Sequence, residues 1–269
     1  MPKRSLGFWL QLGLTLLVSA FLGVPIVQSM LAGVTRNIFV GLKSGLTLDW
    51  VKQVLDLYWP AILLSIEIAL ACLALTLVIG VPAAYGLARA PGRLARLAEE
   101  ALVLPVAVPG LALALALVIA YNGWGGFRQS AGFILAGHVL FTLPFMVRAV
   151  LAVMASSDLA TLEEGAASLG AGFIRRFFDV VLPNCRAGIL AGALTVVTLS
   201  IGEFNLTWLL HTPLTKTLPV GLADAYASLR LEIGSAYTLV FFVLVVPLLV
   251  TLQLLARPRA AKPVAEDLK

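Results

Sequence analysis

Hydrophobic residues dominate this chain in long runs, and short polar segments separate one run from the next. A membrane-spanning helix needs about 20 mostly apolar residues. Five runs reach or approach that length, and a sixth is interrupted only by Glu203 and Asn205. The pattern therefore predicts an all-α membrane protein with six transmembrane helices. The predicted spans are Leu6–Leu31, Pro60–Ala88, Ala101–Ala120, Phe133–Val153, Ala187–Leu210 and Ala236–Ala256.

The same pattern divides the chain into three predicted segments. Residues 1–59 hold the first span and an external segment, residues 60–256 form a core of five spans with a polar loop at 158–186, and residues 257–269 are a basic tail. The first run is longer than the apolar part of a signal peptide and lacks a clean cleavage site, which favours a membrane anchor. Leu48–Leu57 is predicted to be an interfacial amphipathic helix, with a packed external loop as the alternative.

Proline and glycine interrupt the third predicted span. Leu104-Pro105 and Val108-Pro109-Gly110 place two helix breakers within it. Such breaks are tolerated in a membrane when neighbouring groups satisfy the freed carbonyl groups. The segment is therefore predicted either to move during gating or to hold a fixed kink.

Composition and charge agree with a membrane protein. The chain has 60% hydrophobic and 12% charged residues and a mean hydropathy of +0.99, whereas soluble proteins have about 25% charged residues. Thirteen of the nineteen Lys and Arg residues lie in the tails and in the loops on one side. Because basic residues favour the cytoplasmic side, both termini and residues 158–186 are predicted to be cytoplasmic. The net charge of +5 thus reflects topology and gives no reason to expect nucleic-acid binding.

The polar loop Asp158–Arg186, called the elbow below, is patterned like two short helices. Thr161 and Glu164 have the spacing of a capping box, which predicts a helix start. Gly170 and Gly172 provide the backbone freedom for a turn, and apolar residues at helical spacing follow up to Val181. Pro183 is expected to limit the second helix and to set a corner before the fifth span.

The elbow also carries a family motif. Glu164-Gly165-Ala166, Leu169-Gly170-Ala171 and Val181-Leu182-Pro183 resemble the EAA loop of binding-protein-dependent ABC importer permeases. Gly165 departs from the alanine usual at that position, which weakens a helix by about 1 kcal/mol. The resemblance extends over nearly the whole chain. It implies a type I ABC importer permease fold with cytoplasmic EAA-type coupling helices.

This resemblance implies a function and a set of partners. The chain would be the translocating subunit of an importer, paired with a second permease subunit (a homologous chain or a second copy), two ATPase subunits, an extracytoplasmic solute-binding protein and the lipid bilayer of the bacterial inner membrane. ATP and Mg would bind the ATPase subunits, and this chain would bind no cofactor. The residues expected in the ATPase-docking loop are Glu163, Glu164, Gly165, Ala166, Ser168, Leu169, Gly170, Ala171, Arg175 and Phe178.

A second stretch concerns the transported solute. Gly202-Glu203-Phe204 resembles a segment that follows the EAA loop in permeases for polyamines, ferric ion, sulfate and related solutes. An acidic residue inside a span is costly and often functional, so Glu203 is predicted either to attract a cationic solute or to make an interhelical hydrogen bond. The other candidates for the solute path are Asn205, Glu67, His138 and Pro109.

The likeness to the second permease of spermidine/putrescine-type systems implies a polyamine or another amine-bearing solute, such as aminoethylphosphonate. The alternatives are ferric ion, thiamine, sulfate and molybdate.

His138, a lone histidine on an apolar helix, is expected to be a hydrogen-bonded packing residue rather than a metal ligand. Cys72 and Cys185 are not expected to form a disulfide.

The chain has no phosphate-binding Gly-Lys motif: Gly41-Leu42-Lys43-Ser44 lacks the required Gly-Lys pair. It is therefore predicted to be a non-catalytic membrane subunit that cannot hydrolyse ATP. Two other classes stay open at this point. An ion-coupled secondary transporter would need coupling groups on related halves, for which Glu67 and Glu203 are a thin basis. An intramembrane enzyme would need His138, Glu67 and Glu203 to converge from three different spans.

Overall fold

The computed structural model describes residues 6–90 and 92–256. This part of the chain folds into helices and contains no β-strand, which confirms the predicted all-α class. The helices have the bounds α1 (Leu6–Ala32), α2 (Asp49–Arg89), α3 (Arg93–Ala107), α4 (Gly110–Tyr121), α5 (Gly125–Arg128), α6 (Ala131–Ser156), α7 (Leu159–Ser168), α8 (Phe173–Arg176), α9 (Leu182–Asn184), α10 (Arg186–Gly202), α11 (Asn205–Leu210), α12 (Leu218–Ala227) and α13 (Leu231–Ala256). A 3₁₀ turn covers Gly41–Ser44, and a π-helical turn covers Phe177–Val181.

Four of the described helices are long and apolar enough to cross a membrane alone: Gly7–Ala32, Asp49–Arg89, Ala131–Ser156 and Leu231–Leu254. Two bent helix pairs meet the same criterion together. These are α3 with α4, bent by 104°, and Phe173–Asn184 with α10, bent by 71°. The described part of the chain therefore has six spans if each bent pair counts as one.

The second span is much longer than the sequence predicted. Helix α2 has 41 residues and extends roughly 60 Å at 1.5 Å per residue, about twice the thickness of the hydrocarbon core. Leu48–Leu57 is therefore not a separate interfacial helix, because all but its first residue belong to α2, which continues through Pro60. The helical conformation was predicted correctly, and the break after it was not.

The third and fifth predicted spans are not continuous helices. In the third, Val108 is extended (φ −88°, ψ 133°) because the ring of Pro109 disfavours a helical residue before it. Pro105 is accommodated inside α3. In the fifth, α10 ends at Gly202 and Glu203 is extended (φ −72°, ψ 117°) before α11 begins. The helix therefore breaks at Glu203, one of the two polar residues that interrupt the apolar run in the sequence.

The described chain divides into two compact units, the first of which comprises its residues up to Ile62 together with Val220–Val245. Its helices pack closely where glycine permits: a Cβ on Gly33 would lie 2.5 Å from the backbone nitrogen of Ala236. The ring centroids of Tyr58 and Tyr237 lie 4.8 Å apart. Gly221 lies within α12, which begins at Leu218, and it packs against the Tyr237 hydroxyl.

The second unit comprises the described residues within Leu63–Pro219 and those from Val246 onward. Two clusters of buried side chains form its core. The larger cluster packs α2, α6 and α10 together around Met146, Val150 and Val196. The smaller one includes Ala114, Phe133, Leu206 and other side chains of α2, α4, α6 and α11. Close packing of α6 and α10 requires glycine, because a Cβ on Gly188 would lie 2.5 Å from the Ala149 carbonyl oxygen.

The division of the chain at residues 59 and 256 stays a prediction. Lys3 and Arg4, which support the predicted orientation of the amino terminus, and the basic tail 257–269 lie outside the described residues. The last span begins five residues earlier than predicted, at Leu231 instead of Ala236.

Candidate functional site

The elbow begins with a helix that starts earlier than the capping-box spacing indicated. Helix α7 starts at Leu159 with Asp158 at its N-cap, so Thr161 lies inside the helix and is not its cap. The Thr161 hydroxyl donates a hydrogen bond of 2.8 Å to Asp158 Oδ1. The predicted capping box is therefore wrong, because the helix begins before Thr161, with Asp158 at the N-cap position and no side-chain capping bond from it to a backbone N–H.

Gly170 makes the turn after α7, as predicted. Its φ of +83° lies in the left-handed region that favours glycine. The Gly170 N–H donates to the Ala167 carbonyl at 2.9 Å, and the Ala171 N–H donates to the Ala166 carbonyl at 3.0 Å. These two bonds define a Schellman motif, which satisfies the last carbonyl groups of the helix. Gly172 has φ −68° and serves as the N-cap of α8.

The second arm of the elbow is a short helical run that ends in a corner. It continues from α8 through the π-helical turn to α9 and includes Pro183 in the first turn of α9, where proline needs no N–H partner. The corner of 71° lies at Cys185, between Asn184 and Arg186. The predicted corner is thus present, but it lies two residues after Pro183.

The tip of the elbow exposes large apolar side chains. Leu169 next to Gly170 is 90% exposed and Ile174 is 71% exposed. We call the exposed side chains of Leu162, Leu169, Phe173, Ile174 and Phe178 the elbow patch. Contiguous exposed apolar side chains of this kind are typical of surfaces that bind a partner.

The other residues expected in the docking loop divide into exposed and buried positions. Glu164, Gly165, Ser168, Gly170 and Arg175 are exposed, and Ala166 and Ala171 are half-buried. The Arg175 guanidinium lies 3.4 Å from the Asp179 carboxylate on the surface. Glu163, in contrast, is only 1% exposed, and its carboxylate pairs with Arg89 and Tyr85 at the end of α2.

The two helix breaks meet in the second unit. Gly110, the first residue of α4, lies so close to α11 that a Cβ on it would be 3.2 Å from Asn205 Cβ and 3.6 Å from Glu203 Oε1. The structure therefore brings Gly110, the residue after Pro109, next to Glu203 and Asn205, although more than ninety positions separate them in the sequence. Asn205 is exposed and Glu203 is half-buried.

Glu203 caps the short helix α11. Its Oε2 accepts hydrogen bonds from the N–H groups of Leu206 at 3.0 Å and Thr207 at 3.2 Å. These N–H groups have no partner within the helix, and the carboxylate also complements the positive end of the helix. A local capping role thus explains why an acidic residue is tolerated within an apolar run.

The other end of α11 is capped by a residue that the sequence did not single out. The guanidinium of Arg128 donates to the carbonyl oxygens of Leu210 at 3.1 Å and Leu209 at 3.3 Å. Helix α11 also fits closely against α6, since a Cβ on Gly137 would lie 2.6 Å from Leu206 Cδ2. Charged groups of opposite sign therefore hold both ends of a six-residue helix.

His138 joins the two parts of the broken fifth span. Its side chain is buried, with Nδ1 2.8 Å from Ser200 Oγ on α10 and Nε2 2.8 Å from Thr207 Oγ1 on α11. The Thr207 hydroxyl donates over 3.5 Å to Glu203 Oε2. The predicted role of His138 as a hydrogen-bonded packing residue is confirmed.

Glu67 differs from the other candidates. It is exposed on α2, and among the described residues no contact connects it to Glu203 or His138.

Within the described ranges, no group of three or more His, Cys, Asp and Glu residues is placed to hold a metal ion. Cys72 and Cys185 are both buried and both free thiols.

Residues 76–259 match the family described as "Binding-protein-dependent transport system inner membrane component", and this range includes the elbow and both helix breaks. The chain belongs to this family. It is therefore a permease subunit of an ABC importer, with the all-helical type I permease fold and several spans in the inner membrane. Membership supports the importer over an ion-coupled transporter or an intramembrane enzyme.

Three relatives indicate the range of systems in which similar permeases occur. The molybdenum transport system permease protein ModB of Escherichia coli (strain K12) is 29% identical over 199 residues, which cover 67% of this chain and 85% of ModB. The sulfate transport system permease protein CysW of Synechocystis is 31% identical over 215 residues, which cover 74% of this chain and 76% of CysW. The third relative is PhnV of Salmonella typhimurium, which is named for a 2-aminoethylphosphonate transport system. It is 24% identical over 245 residues, which cover 90% of this chain and 92% of PhnV.

Proposed function

We propose that the elbow is the docking element for an ATPase subunit of the importer. The observation that carries this proposal is the elbow patch, where Leu169 and Ile174 are largely exposed beside the rigid turn at Gly170. A groove on a partner would bury these side chains, and each apolar side chain removed from water contributes about 1.5–3 kcal/mol. The neighbouring residues complete the proposed docking surface: Glu164, Gly165, Ser168 and Arg175 are exposed, and Ala166 and Ala171 are half-buried.

In this proposal the chain does not use ATP itself. ATP and Mg bind two ATPase subunits, a second permease completes the path across the membrane, and a solute-binding protein delivers the cargo from the other side. The proposed topology has both termini and the elbow on the cytoplasmic side. It rests on the distribution of Lys and Arg along the sequence.

Variants of Gly170 and Leu169 test the docking proposal. Gly170→Val should abolish copurification of the ATPase, because a β-branched residue does not adopt the left-handed conformation of the turn. Gly170→Asn should retain it, because asparagine adopts this conformation most readily after glycine. Leu169→Asp should also release the ATPase. Leu214→Asp is the matched control, since Leu214 is 94% exposed in the loop between α11 and α12. Normal copurification and uptake with Gly170→Val and Leu169→Asp would contradict the proposal.

For the solute, we propose an amine-bearing compound, either a polyamine or 2-aminoethylphosphonate. The supporting observation is the half-buried Glu203 where the two helix breaks meet, because it provides a negative charge that is accessible beside Gly110 and Asn205. The relative PhnV, which matches along 90% of this chain, adds support for the aminophosphonate.

Oxyanions such as molybdate and sulfate are the second candidate class, and the names of ModB and CysW favour them. Glu203 argues against an oxyanion bound at the break, because its carboxylate already takes the free N–H groups at the start of α11. Ferric ion and thiamine, both cationic, remain alternatives that would use Glu203 in the same way.

The variant Glu203→Gln distinguishes the two roles of this side chain, its negative charge and its capping of helix α11. The glutamine keeps one side-chain oxygen to accept from Leu206 and Thr207 but removes the negative charge. If the solute is cationic, its apparent affinity in uptake should fall while the protein keeps its stability. Unchanged uptake would exclude a role for the charge in the path. Ligand binding to the copurified binding protein, tested with spermidine, 2-aminoethylphosphonate, molybdate, sulfate, ferric ion and thiamine, identifies the solute class independently.

A further inference from the structure

Glu163 is the buried charge of the elbow. It lies in the first helix of the elbow, one residue before the exposed Glu164, and its side chain is 1% exposed. The Tyr85 hydroxyl donates a hydrogen bond of 2.9 Å to Glu163 Oε1, and the Arg89 guanidinium forms an ion pair with Oε2. Both carboxylate oxygens therefore face α2, and neither is available to a partner protein.

The same two residues of α2 also receive the second arm of the elbow. The Tyr85 ring makes edge-to-face contacts with Phe177 at 5.3 Å and with Phe173 at 5.9 Å between ring centroids. The Arg89 guanidinium lies over the Tyr85 ring, 4.6 Å from its centroid. Tyr85 and Arg89 are one helical turn apart at the end of α2, so this last turn contacts both arms of the elbow.

These contacts differ in character from the tip of the elbow. A buried carboxylate is stable only when it is paired and hydrogen-bonded, and here both partners come from one helix. Separation of α7 from α2 would break the ion pair with Arg89 and the hydrogen bond from Tyr85 at the same time, which is unfavourable. The two helices are therefore expected to move together, whereas the tip at Leu169 and Gly170 makes no close packing contact in the described chain.

We propose that Glu163, Arg89 and Tyr85 form a clamp that transmits movement of the elbow to helix α2. Glu163 is then a positioning residue, which links the docking surface to the spans without touching the ATPase. Helix α2 is a suitable recipient of the movement, because its 41 residues form a continuous helix. This inference rests on the proposed docking of an ATPase at the elbow.

The test measures assembly and coupling separately, with the full importer reconstituted in proteoliposomes. Glu163→Gln removes the charge but keeps an acceptor for the Tyr85 hydroxyl, and Tyr85→Phe removes only that hydroxyl. Glu163→Arg combined with Arg89→Glu restores an ion pair with reversed charges. The matched control is Glu100→Gln, the same chemical change at an exposed position of α3.

We expect Glu163→Gln to retain ATPase copurification and ATP hydrolysis, while solute uptake per ATP hydrolysed falls by about tenfold. Tyr85→Phe should lower this ratio less, the reversed pair should recover part of it, and Glu100→Gln should leave it unchanged. Since a merely structural contact would lower assembly, hydrolysis and uptake together, the selective loss of uptake distinguishes a clamp from a stabilising contact.

Two results would overturn the clamp while leaving docking intact. In the first, Glu163→Gln and Tyr85→Phe both transport solute with wild-type coupling. In the second, Glu163→Gln releases the ATPase and the reversed pair does not restore binding, which would place Glu163 in the docking surface itself. If Glu163→Gln fails to accumulate in the membrane, Tyr85→Phe decides alone, and normal coupling with this variant would overturn the clamp. A different result would contradict the docking proposal itself: in that case the wild-type protein would not copurify an ATPase.

Discussion

Replacement of His138 by leucine tests how the broken fifth span is held together. Leucine has a similar volume, so it removes the ring nitrogens without overpacking the site. The wild-type ring lies 2.8 Å from hydroxyls on both sides of the break, Ser200 Oγ and Thr207 Oγ1. Its loss leaves two buried hydroxyls without this partner, and each unsatisfied buried group costs about 1–3 kcal/mol.

Replacement hydrogen bonds to nearby groups reduce the cost of leaving these two hydroxyls without the histidine ring. The Ser200 hydroxyl can turn to the carbonyl of its own helix four residues earlier, as Thr195 and Thr198 of the same helix do at 2.9 and 2.7 Å. The Thr207 hydroxyl keeps its 3.5 Å contact with Glu203. Hydrogen bonds in membrane proteins contribute about 0.6 kcal/mol each on average. Between these limits, we expect His138→Leu to lower the free energy of unfolding by about 1–3 kcal/mol.

Titration with sodium dodecyl sulfate in mixed micelles measures this loss as a shift of the unfolding midpoint. Thr198→Val is the matched control, because Thr198 is exposed and its hydroxyl bonds a carbonyl of its own helix; its effect should stay within about 0.5 kcal/mol. Thr207→Val combined with His138→Leu should destabilise by less than the sum of the single variants, because the two side chains share one hydrogen bond. A midpoint for His138→Leu equal to that of the control, or fully additive effects, would refute the bridging role.

Three further variants test the packing and the caps in the same titration. Gly188→Ala should destabilise by about 1–3 kcal/mol, because its methyl group would lie 2.5 Å from a backbone oxygen of α6, whereas Gly86→Ala, with nothing within 4 Å, should be neutral or stabilising. Arg128→Met should cost about 1–3 kcal/mol through loss of the α11 end cap, and Arg96→Met, at an exposed position, should change little. Glu203→Gln should cost less than about 1 kcal/mol, since the amide oxygen still caps the helix; a loss above 2 kcal/mol would mean that the charge itself is needed for the cap.

Local backbone rules predicted part of the structure well. Gly170 was expected at a turn and adopts φ +83°, because few residues tolerate this conformation. Of the two helix breakers that the sequence placed in the third span, Pro109 interrupts the helix, because the residue before it is extended, whereas Pro105 is accommodated within α3. The elbow motif pointed to the correct family without any structure, because several residue types recur in it at fixed offsets.

Long-range contacts explain most of what the sequence could not predict. Glu163 looked like one of two adjacent surface carboxylates, and its burial depends on Arg89, 74 positions away. Thr161 had the correct spacing for a capping box, but helix α7 begins at Leu159, before Thr161, with Asp158 at the N-cap position. Arg128 carried no local signal at all, since its partners are backbone carbonyl groups of a helix that exists only because the fifth span breaks at Glu203.

Copurification from native membranes is the most direct measurement of the importer function. The tagged protein is extracted in mild detergent with ATP hydrolysis blocked, and the bound proteins are identified by mass spectrometry beside the Gly170→Val variant. We expect the wild-type protein to retain two ATPase copies and a second permease, with a solute-binding protein in part of the sample, and the variant to lose the ATPase. A wild-type preparation without an ATPase, from a sample in which the protein is folded and the nucleotide is trapped, would contradict docking at the elbow.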